Sequence, residues 1–411
     1  MTDAARVIIA GAGIGGLTAA LALAKVGIAA IVLERRTALN EAGAGIQLSP
    51  NASGILFGLG LGPALMRHAV EPARLTVHDL ARGRRLAEAP LGAGMRERFG
   101  APYLAIARSD LHTILLDAVR SRTDTRLLVG RTALGAVSRD DSVQVAIETA
   151  GGQRDTLGGA LLIAADGVGS RLRSTVEPGA RPRLHGYHAW RTTISAEAVP
   201  EGVPRKETGL WLGRGCHLVH YPVAAGRQMN IVAVQRAAEP VSGWTEAGDS
   251  RQLNRAFLRA AAPIRALVAQ AADWRIWSLQ DLSPLRRWHA GRIVLLGDAA
   301  HPVLPFLAQG GALAIEDAAV LAQCLASLPS TTTALDAALA FYTEARRERA
   351  TRVQRAAQLN GRVYHLPAPL SIGRNLMMAR LGGRLIDRYD WLYGWTPAEL
   401  GDPSEHRIAA A

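Results

Sequence analysis

Lysine is almost missing from this chain of 411 residues: Lys25 and Lys206 are the only two, and the other basic side chains are arginines scattered from end to end. The 47 basic residues exceed the 35 acidic ones by a net charge of +12. A nucleic-acid-binding domain concentrates such charge in a patch or stripe, so the scatter reads as compositional bias and no nucleic-acid partner is expected. The densest group is Arg346, Arg347, Arg349, Arg352 and Arg355, interleaved with Glu344 and Glu348 on a helical stretch. That pattern reads as a solvated helix face. Cysteine is scarce as well. Cys216 and Cys324 are too few and too far apart for a disulfide framework or a metal knuckle, so a reducing compartment fits and no metal is expected. No apolar run reaches the ~18–20 residues needed to span a bilayer. The segment after Met1 also lacks the charged and apolar regions of a secretory signal. The expectation is a soluble, cytoplasmic protein without membrane insertion.

What the chain does have is length, alanine and glycine. A chain this long exceeds one ordinary core and implies two domains, or one with a large insertion. Residues 5–34 read as a βαβ unit: the short apolar run Arg6–Ala10 is a buried strand, Leu17–Val26 an all-round apolar helix, and Ile28–Leu33 a second strand. Between strand and helix lies Gly11-Ala12-Gly13-Ile14-Gly15-Gly16. In such a turn the first glycine permits the tight bend, the second lets the backbone approach a pyrophosphate, and the third allows close helix packing. The N–H groups of the helix start then stabilise phosphate charge. Glu34 ends the second strand, placed to accept hydrogen bonds from a ribose diol, with Arg35 beside it. Strand, glycines, helix and acid together indicate a dinucleotide site, with FAD and NAD both open.

A second motif follows another apolar run, Arg292–Leu296: Gly297-Asp298-Ala-Ala-His301-Pro302, after which Gly310, Gly311 and Ala312 open a long helix. An aspartate beyond a strand can hold a ribityl hydroxyl, and the helix start offers N–H groups to a flavin. A plain NAD dehydrogenase has no use for this second motif, which favours FAD. A third turn, Asp166-Gly-Val-Gly-Ser170 with Arg171 and Arg173, ends the run Ala160–Ala165.

With these three motifs in this order, the chain resembles the single-component flavin-dependent aromatic hydroxylases. It is most similar to the branch of salicylate hydroxylase and 3-hydroxybenzoate 6-hydroxylase. Gly45-Ile-Gln47, Ala189-Trp-Arg191, His217-Leu-Val-His-Tyr-Pro222, Pro305-Phe-Leu-Ala-Gln-Gly310 and Tyr389-Asp-Trp-Leu-Tyr-Gly-Trp395 carry the likeness. The resemblance implies non-covalent FAD, NADH or NADPH as reductant, O2, and hydroxylation of a small hydroxylated aromatic acid by a flavin hydroperoxide. It also implies flavin contacts from Gln47, Arg108 and Asp166, a homodimer, and a shaping role for Pro305 at the flavin. Gln47 and Phe306 stand where relatives acting on pyridine acids carry histidines, which disfavours a hydroxynicotinate substrate. A hydroxynicotinate substrate nevertheless remains an alternative, as do urate-type hydroxylation, epoxidation and a non-catalytic flavin sensor.

Such chemistry needs a phenolate, hence a base near the ring hydroxyl. His217 and Tyr221 share one face of a strand by period two, while His220 faces away. His217 is the expected base or relay, Tyr221 an orienting partner, and Gln309 a second ligand for the hydroxyl. Arg191 or Arg214 could pair with an acid, and His301 reads as structural or as a phosphate-side residue. The expected fold is α/β: a Rossmann-like FAD-binding domain from 1–72, 101–180 and 281–330, and an inserted, mostly antiparallel substrate domain from 73–100 and 181–280. A C-terminal helical segment, 331–411, includes the helix Ala334–Gly361, after an earlier helix Leu313–Leu328.

Overall fold

Five strands from separate parts of the chain share one parallel core. In the computed structural model, which describes residues 6–39, 44–237, 246–326 and 331–400, Val7–Ala10 lies between Ala30–Glu34 and Leu161–Ala164, with Val7 opposite Ala30 on one side and Leu161 on the other. Ile293–Leu295 adds beyond Leu161–Ala164, and Thr125–Val129 beyond Ala30–Glu34. Every residue of Val7–Ala10 and Leu161–Ala164 is buried, as a sheet covered on both faces requires. Because the strands run the same way, Gly11, Glu34, Asp166 and Asp298 all emerge at one carboxyl edge, where doubly wound sheets take ligands.

The glycine helix, Ile14–Lys25, starts three residues earlier than the apolar run suggested, because the glycines themselves form its first turn. It packs against the helix Gly310–Cys324, which begins at the second motif. That helix ends at Cys324, and the expected continuation to Leu328 falls partly outside the described residues. The long C-terminal helix runs Thr332–Tyr364 and crosses beneath it.

The second layer is an eight-stranded sheet drawn from residues 74–90 and 183–281, antiparallel except where Thr208–Gly213 pairs with Arg74–Asp79. One face carries Trp190, Trp211, Leu218 and Ile231 into a core closed by the helices Ser250–Ala256 and Ala262–Gln270. Ala189, Val234 and Leu279, from the opposite face, pack with Leu304, Phe306 and Ala357. Tyr221 and Val223 of that face pack with Ala105 and Ala107. The sheet therefore lies over the carboxyl-edge loops. Among the described residues, no helix is long and apolar enough to cross a membrane.

The arginine-rich stretch departs from the solvated face expected for it. Arg346 and Arg349 are buried and bind Glu316 and Asp317 on the facing helix, Arg346 Nε to Asp317 at 2.7 Å and Arg349 Nε to Glu316 at 2.6 Å. Both guanidiniums also lie over the Trp395 ring. Only Arg347, Arg352 and Arg355 are exposed. Same-helix glutamates suggested solvent, but the counter-charges come from across the helix pair.

Candidate functional site

The glycine turn is shaped for an extended anionic ligand. Gly11 has φ +112°, and a Cβ there would sit 2.4 Å from the Ala165 carbonyl oxygen. A Cβ on Gly15 would strike Leu296, whereas one on Gly13 would meet no heavy atom within 4 Å. The turn is thus closed on its sheet side and open where a pyrophosphate would approach. Glu34 accepts the Ala12 N–H at 3.0 Å, which fixes its carboxylate beside the turn. Arg35, next along, is exposed. His112, a residue the motif reading passed over, braces the turn from below through its Nε2 and the Ala12 carbonyl, 2.8 Å apart.

The other carboxyl-edge loops are stapled together by Arg173. Its guanidinium donates to the carbonyls of Val168 (2.8 Å), Asp298 (3.0 Å) and Ala299 (2.7 Å), joining the Asp166 turn to the Asp298 loop. Asp166 accepts the Arg171 N–H with Oδ2, while its Oδ1 is buried without a partner. Burial raises the Asp298 carboxyl above the usual range, opposed by the nearby His301, Arg108 and Arg173. Gly310 adjoins Asp298: a Cβ on it would lie 3.9 Å from Oδ1. Gly311 lets the helix sit against Ile46, beside Gln47, and Ala312 is buried in the same turn. Arg108 opens its own helix, Arg108–Arg120, with its N–H on the Ala44 carbonyl. Gln47 accepts the Tyr103 hydroxyl at 2.9 Å, and its Nε2 is a buried donor without an acceptor. Open glycine backbone, an acid fixed beside the turn, and the orphaned Gln47 Nε2 and Asp166 Oδ1 form a donor and acceptor set that fits FAD.

His301 is structural, as expected from Pro302. Its Nε2 bonds Asp317 at 2.5 Å and its ring stacks on Trp288. Gln309, the expected second ligand for the hydroxyl, is engaged within the protein. Its Oε1 accepts from Asn51 at 3.1 Å and its Nε2 donates to Ser49 at 2.9 Å, so the amide braces the loop. Asn51 in turn donates to Glu316 at 2.6 Å. Pro305 starts the single turn Pro305–Leu307 that carries Phe306 to His217.

The eight-stranded sheet turns His217, Val219, Tyr221 and Val223 towards these loops, and His220 away. His220 packs on Trp211, and burial holds its pKa down to about 3, so it stays neutral in the outer core. His217 lies between Phe306, Tyr364 and His365, with Nδ1 2.8 Å from His365 Nε2. Burial, and then His365, hold its pKa well below the ordinary value. Tyr221 is buried against Gly45, and burial raises its hydroxyl despite the opposing field of Arg191. Four residues of strand put His217 and Tyr221 about 13 Å apart at Cα, too far for both to hold one hydroxyl comfortably. Arg191, two strands over in register with Val219, projects to the same face. It stacks at 4.0 Å on Trp277, its Nε has no partner, and burial lowers its pKa to about 10. Arg214 is exposed in a turn.

The chain is similar to known proteins. A family described as FAD binding domain matches residues 4–357. The 3-hydroxybenzoate 6-hydroxylase of Polaromonas naphthalenivorans is 34% identical over 95% of this chain and 96% of its own. The 3-amino-4-hydroxybenzoate 2-monooxygenase of Streptomyces cremeus is 36% identical over 97% of each. The crystal structure of HpxO from Klebsiella pneumoniae with FAD and uric acid superimposes with a TM-score of 0.80 at 27% identity, over 93% of this chain and 95% of that one.

Proposed function

The chain belongs to the FAD-binding domain family of flavoprotein monooxygenases, and from that premise we propose that it hydroxylates a small hydroxylated aromatic acid. One observation carries the acid: Arg191, a half-buried cation whose Nε is buried and unpartnered, on the same sheet face as His217. A guanidinium fork matches a carboxylate, and a cation with no ion pair among the described residues is stabilised by an anion on the substrate.

Gly11, Gly13, Ile14, Gly15, Gly16 and Glu34 would hold the pyrophosphate and ribose of FAD, with Gln47, Arg108, Asp166, Asp298 and Gly310–Ala312 nearer the flavin. FAD, when bound, supplies electron transfer from the nicotinamide and the activation of O2. The chain's own part is to position and deprotonate. Arg191, with Tyr221 beside it, orients the carboxylate. His217, kept neutral by burial, accepts the ring hydroxyl's proton at Nε2, because a phenolate is far more electron-rich than a phenol and reacts faster with an electrophilic oxygen. The buried cover of the substrate sheet excludes water. Tyr221 therefore belongs at the acid end of the substrate and His217 at the hydroxyl end, a division that their spacing on the strand supports. The same reading takes NADH or NADPH as reductant, O2 as co-substrate, the cytoplasm as compartment and a homodimer as assembly.

The test is a panel of hydroxybenzoates, hydroxypyridine acids and neutral phenols offered to the FAD-loaded protein with NADH or NADPH. Nicotinamide oxidation, O2 uptake and product are scored together. Coupled product from a hydroxybenzoate is the expected result. Flavin reduction that no aromatic acid accelerates would overturn the reading.

A further inference from the structure

His365 stands immediately after the long helix Thr332–Tyr364, 148 positions from His217 in sequence, yet the two rings share a hydrogen bond of 2.8 Å. Both are buried, at 3% and 7% exposure. Their outer nitrogens differ. His365 Nδ1 is sealed in protein without a partner, and His217 Nε2 meets no hydrogen-bond partner among the described residues. Around them stand Tyr187, Phe306 and Tyr364. Arg236 and Arg374 are the charged groups whose fields reach His365.

A neutral histidine pair joined this way has two arrangements, since each ring carries one N–H. In one, His217 Nδ1–H donates to His365 Nε2, so His217 Nε2 is a free base and His365 Nδ1 bears the other proton. In the second, His365 Nε2–H donates to His217 Nδ1, and His217 Nε2 is protonated. Only the first arrangement can take a proton from a substrate hydroxyl.

Resting on the reading of His217 as base, we propose that His365 is a positioning residue that selects the basic tautomer of His217 and relays the proton it collects. The transfer balances without an added reagent. The substrate oxygen keeps its bonding pair as the O–H bond breaks, and the proton goes to His217 Nε2. His217 Nδ1–H passes to His365 Nε2, and the proton on His365 Nδ1 leaves to water. The pair thereby switches from the first arrangement to the second and neither ring holds an imidazolium charge. That matters because burial depresses both rings, His365 to about 4. A lone buried base would have to carry the charge that its surroundings disfavour. His365 Nδ1 is itself closed off from solvent, so its proton leaves when water enters past Tyr187 and Phe306, which also line a surface groove of about 350 Å³ beside Arg236 and Arg362.

The experiment compares His217→Ala, His365→Phe and His365→Gln in the FAD-loaded protein. One readout is the ultraviolet absorbance of a bound hydroxybenzoate against pH, which reports phenol ionisation without turnover. Another is single-turnover hydroxylation. In His365→Phe the pH at which the bound phenol ionises is expected to rise towards that of His217→Ala, and hydroxylation at pH 7 to slow at least about tenfold. His365→Gln keeps an acceptor for His217 Nδ1–H but cannot relay, so KM should stay within about twofold while hydroxylation is slow. Wild-type ionisation and rate in His365→Phe, or in His365→Gln should the first variant lose FAD, would overturn the relay. An unchanged ionisation in His217→Ala would instead remove the base reading beneath it.

Discussion

Asn230 on the substrate sheet accepts the Gly45 N–H at 2.6 Å, and this buried bond ties the sheet that carries His217 to the strand that carries Gln47. The approach is close enough that a Cβ on Gly45 would lie 2.5 Å from the Tyr221 ring and 2.8 Å from the Asn230 amide carbon. Gly45→Ala should therefore push the two layers apart while leaving the flavin loops intact. The expected outcome is nicotinamide oxidation with coupled product reduced by about tenfold or more, since a displacement near 1 Å can cost about 100-fold in rate. Product formed per nicotinamide consumed is the measurement, and an unchanged ratio refutes the idea.

Glu34 supports the glycine turn through the Ala12 N–H, and in the proposed FAD complex its carboxylate would also hold the ribose. Removing a charge-assisted hydrogen bond costs about 1.5–3 kcal/mol. Glu34→Ala should weaken FAD binding by roughly 10–100-fold, read by flavin fluorescence titration of the apoprotein. Retention of wild-type affinity would mean that the carboxylate serves only the turn.

Arg191→Met keeps length and removes the cation. Losing one partner of a buried charge pair costs about 2–5 kcal/mol, so KM for an aromatic acid should rise at least about 30-fold. KM for a neutral phenol and the FAD content should change little. Equal losses for acid and neutral substrates would show that Arg191 only stacks on Trp277.

Glu316 is the shared anion of Arg346, Arg349 and Asn51. Glu316→Gln leaves one buried guanidinium charge uncompensated, at about 3–5 kcal/mol, and loosens the amide of Gln309 through Asn51. A fall in Tm of several degrees, with weaker FAD retention, is expected from thermal melts followed by flavin release. A stable variant would show that water reaches the network.

Acid should destabilise the fold through its buried histidines. His220 is held down to about 3 and His365 to about 4 by burial, whereas an unfolded histidine titrates near 6.5 (about). Below about pH 6.5 the unfolded chain binds the extra proton and the folded chain does not. The stabilising contribution is present in full above that pH and is lost as pH falls towards the folded values. At pH 5 each ring accounts for about 2 kcal/mol. Melting temperatures between pH 7.5 and 5 measure this, and a flat profile contradicts it.

Local chemistry made the carboxyl-edge loops readable in advance. A turn such as Gly11–Gly16 follows from the backbone needs of its own residues, and period two alone sent His217 and His220 to opposite faces. The histidine pair was not readable, because nothing local in Tyr364-His365-Leu366 distinguishes it from a helix end. Only the crossing of the long helix over the sheet brings it to His217. The engagement of Gln309 was hidden for the same reason, its partners Ser49 and Asn51 being some 260 positions away. One signal could have exposed the ion network: Glu316 and Asp317 sit within the apolar run Ala312–Ala322. Two adjacent acids in a buried helix demand cations from elsewhere.

The interleaving of the two sheets also sets when the protein can come into being on the ribosome. Leu161–Ala164 and Ile293–Leu295 must both be made before the parallel sheet is whole, and the eight-stranded sheet needs Arg74–Asp79 to wait for Thr208–Gly213. Such long waits between partner strands slow folding and prolong the exposure of unpaired edges. The cradle closes only once Asp298 and Gly310–Ala312 have emerged, so the cofactor can be seated only after most of the chain has been made.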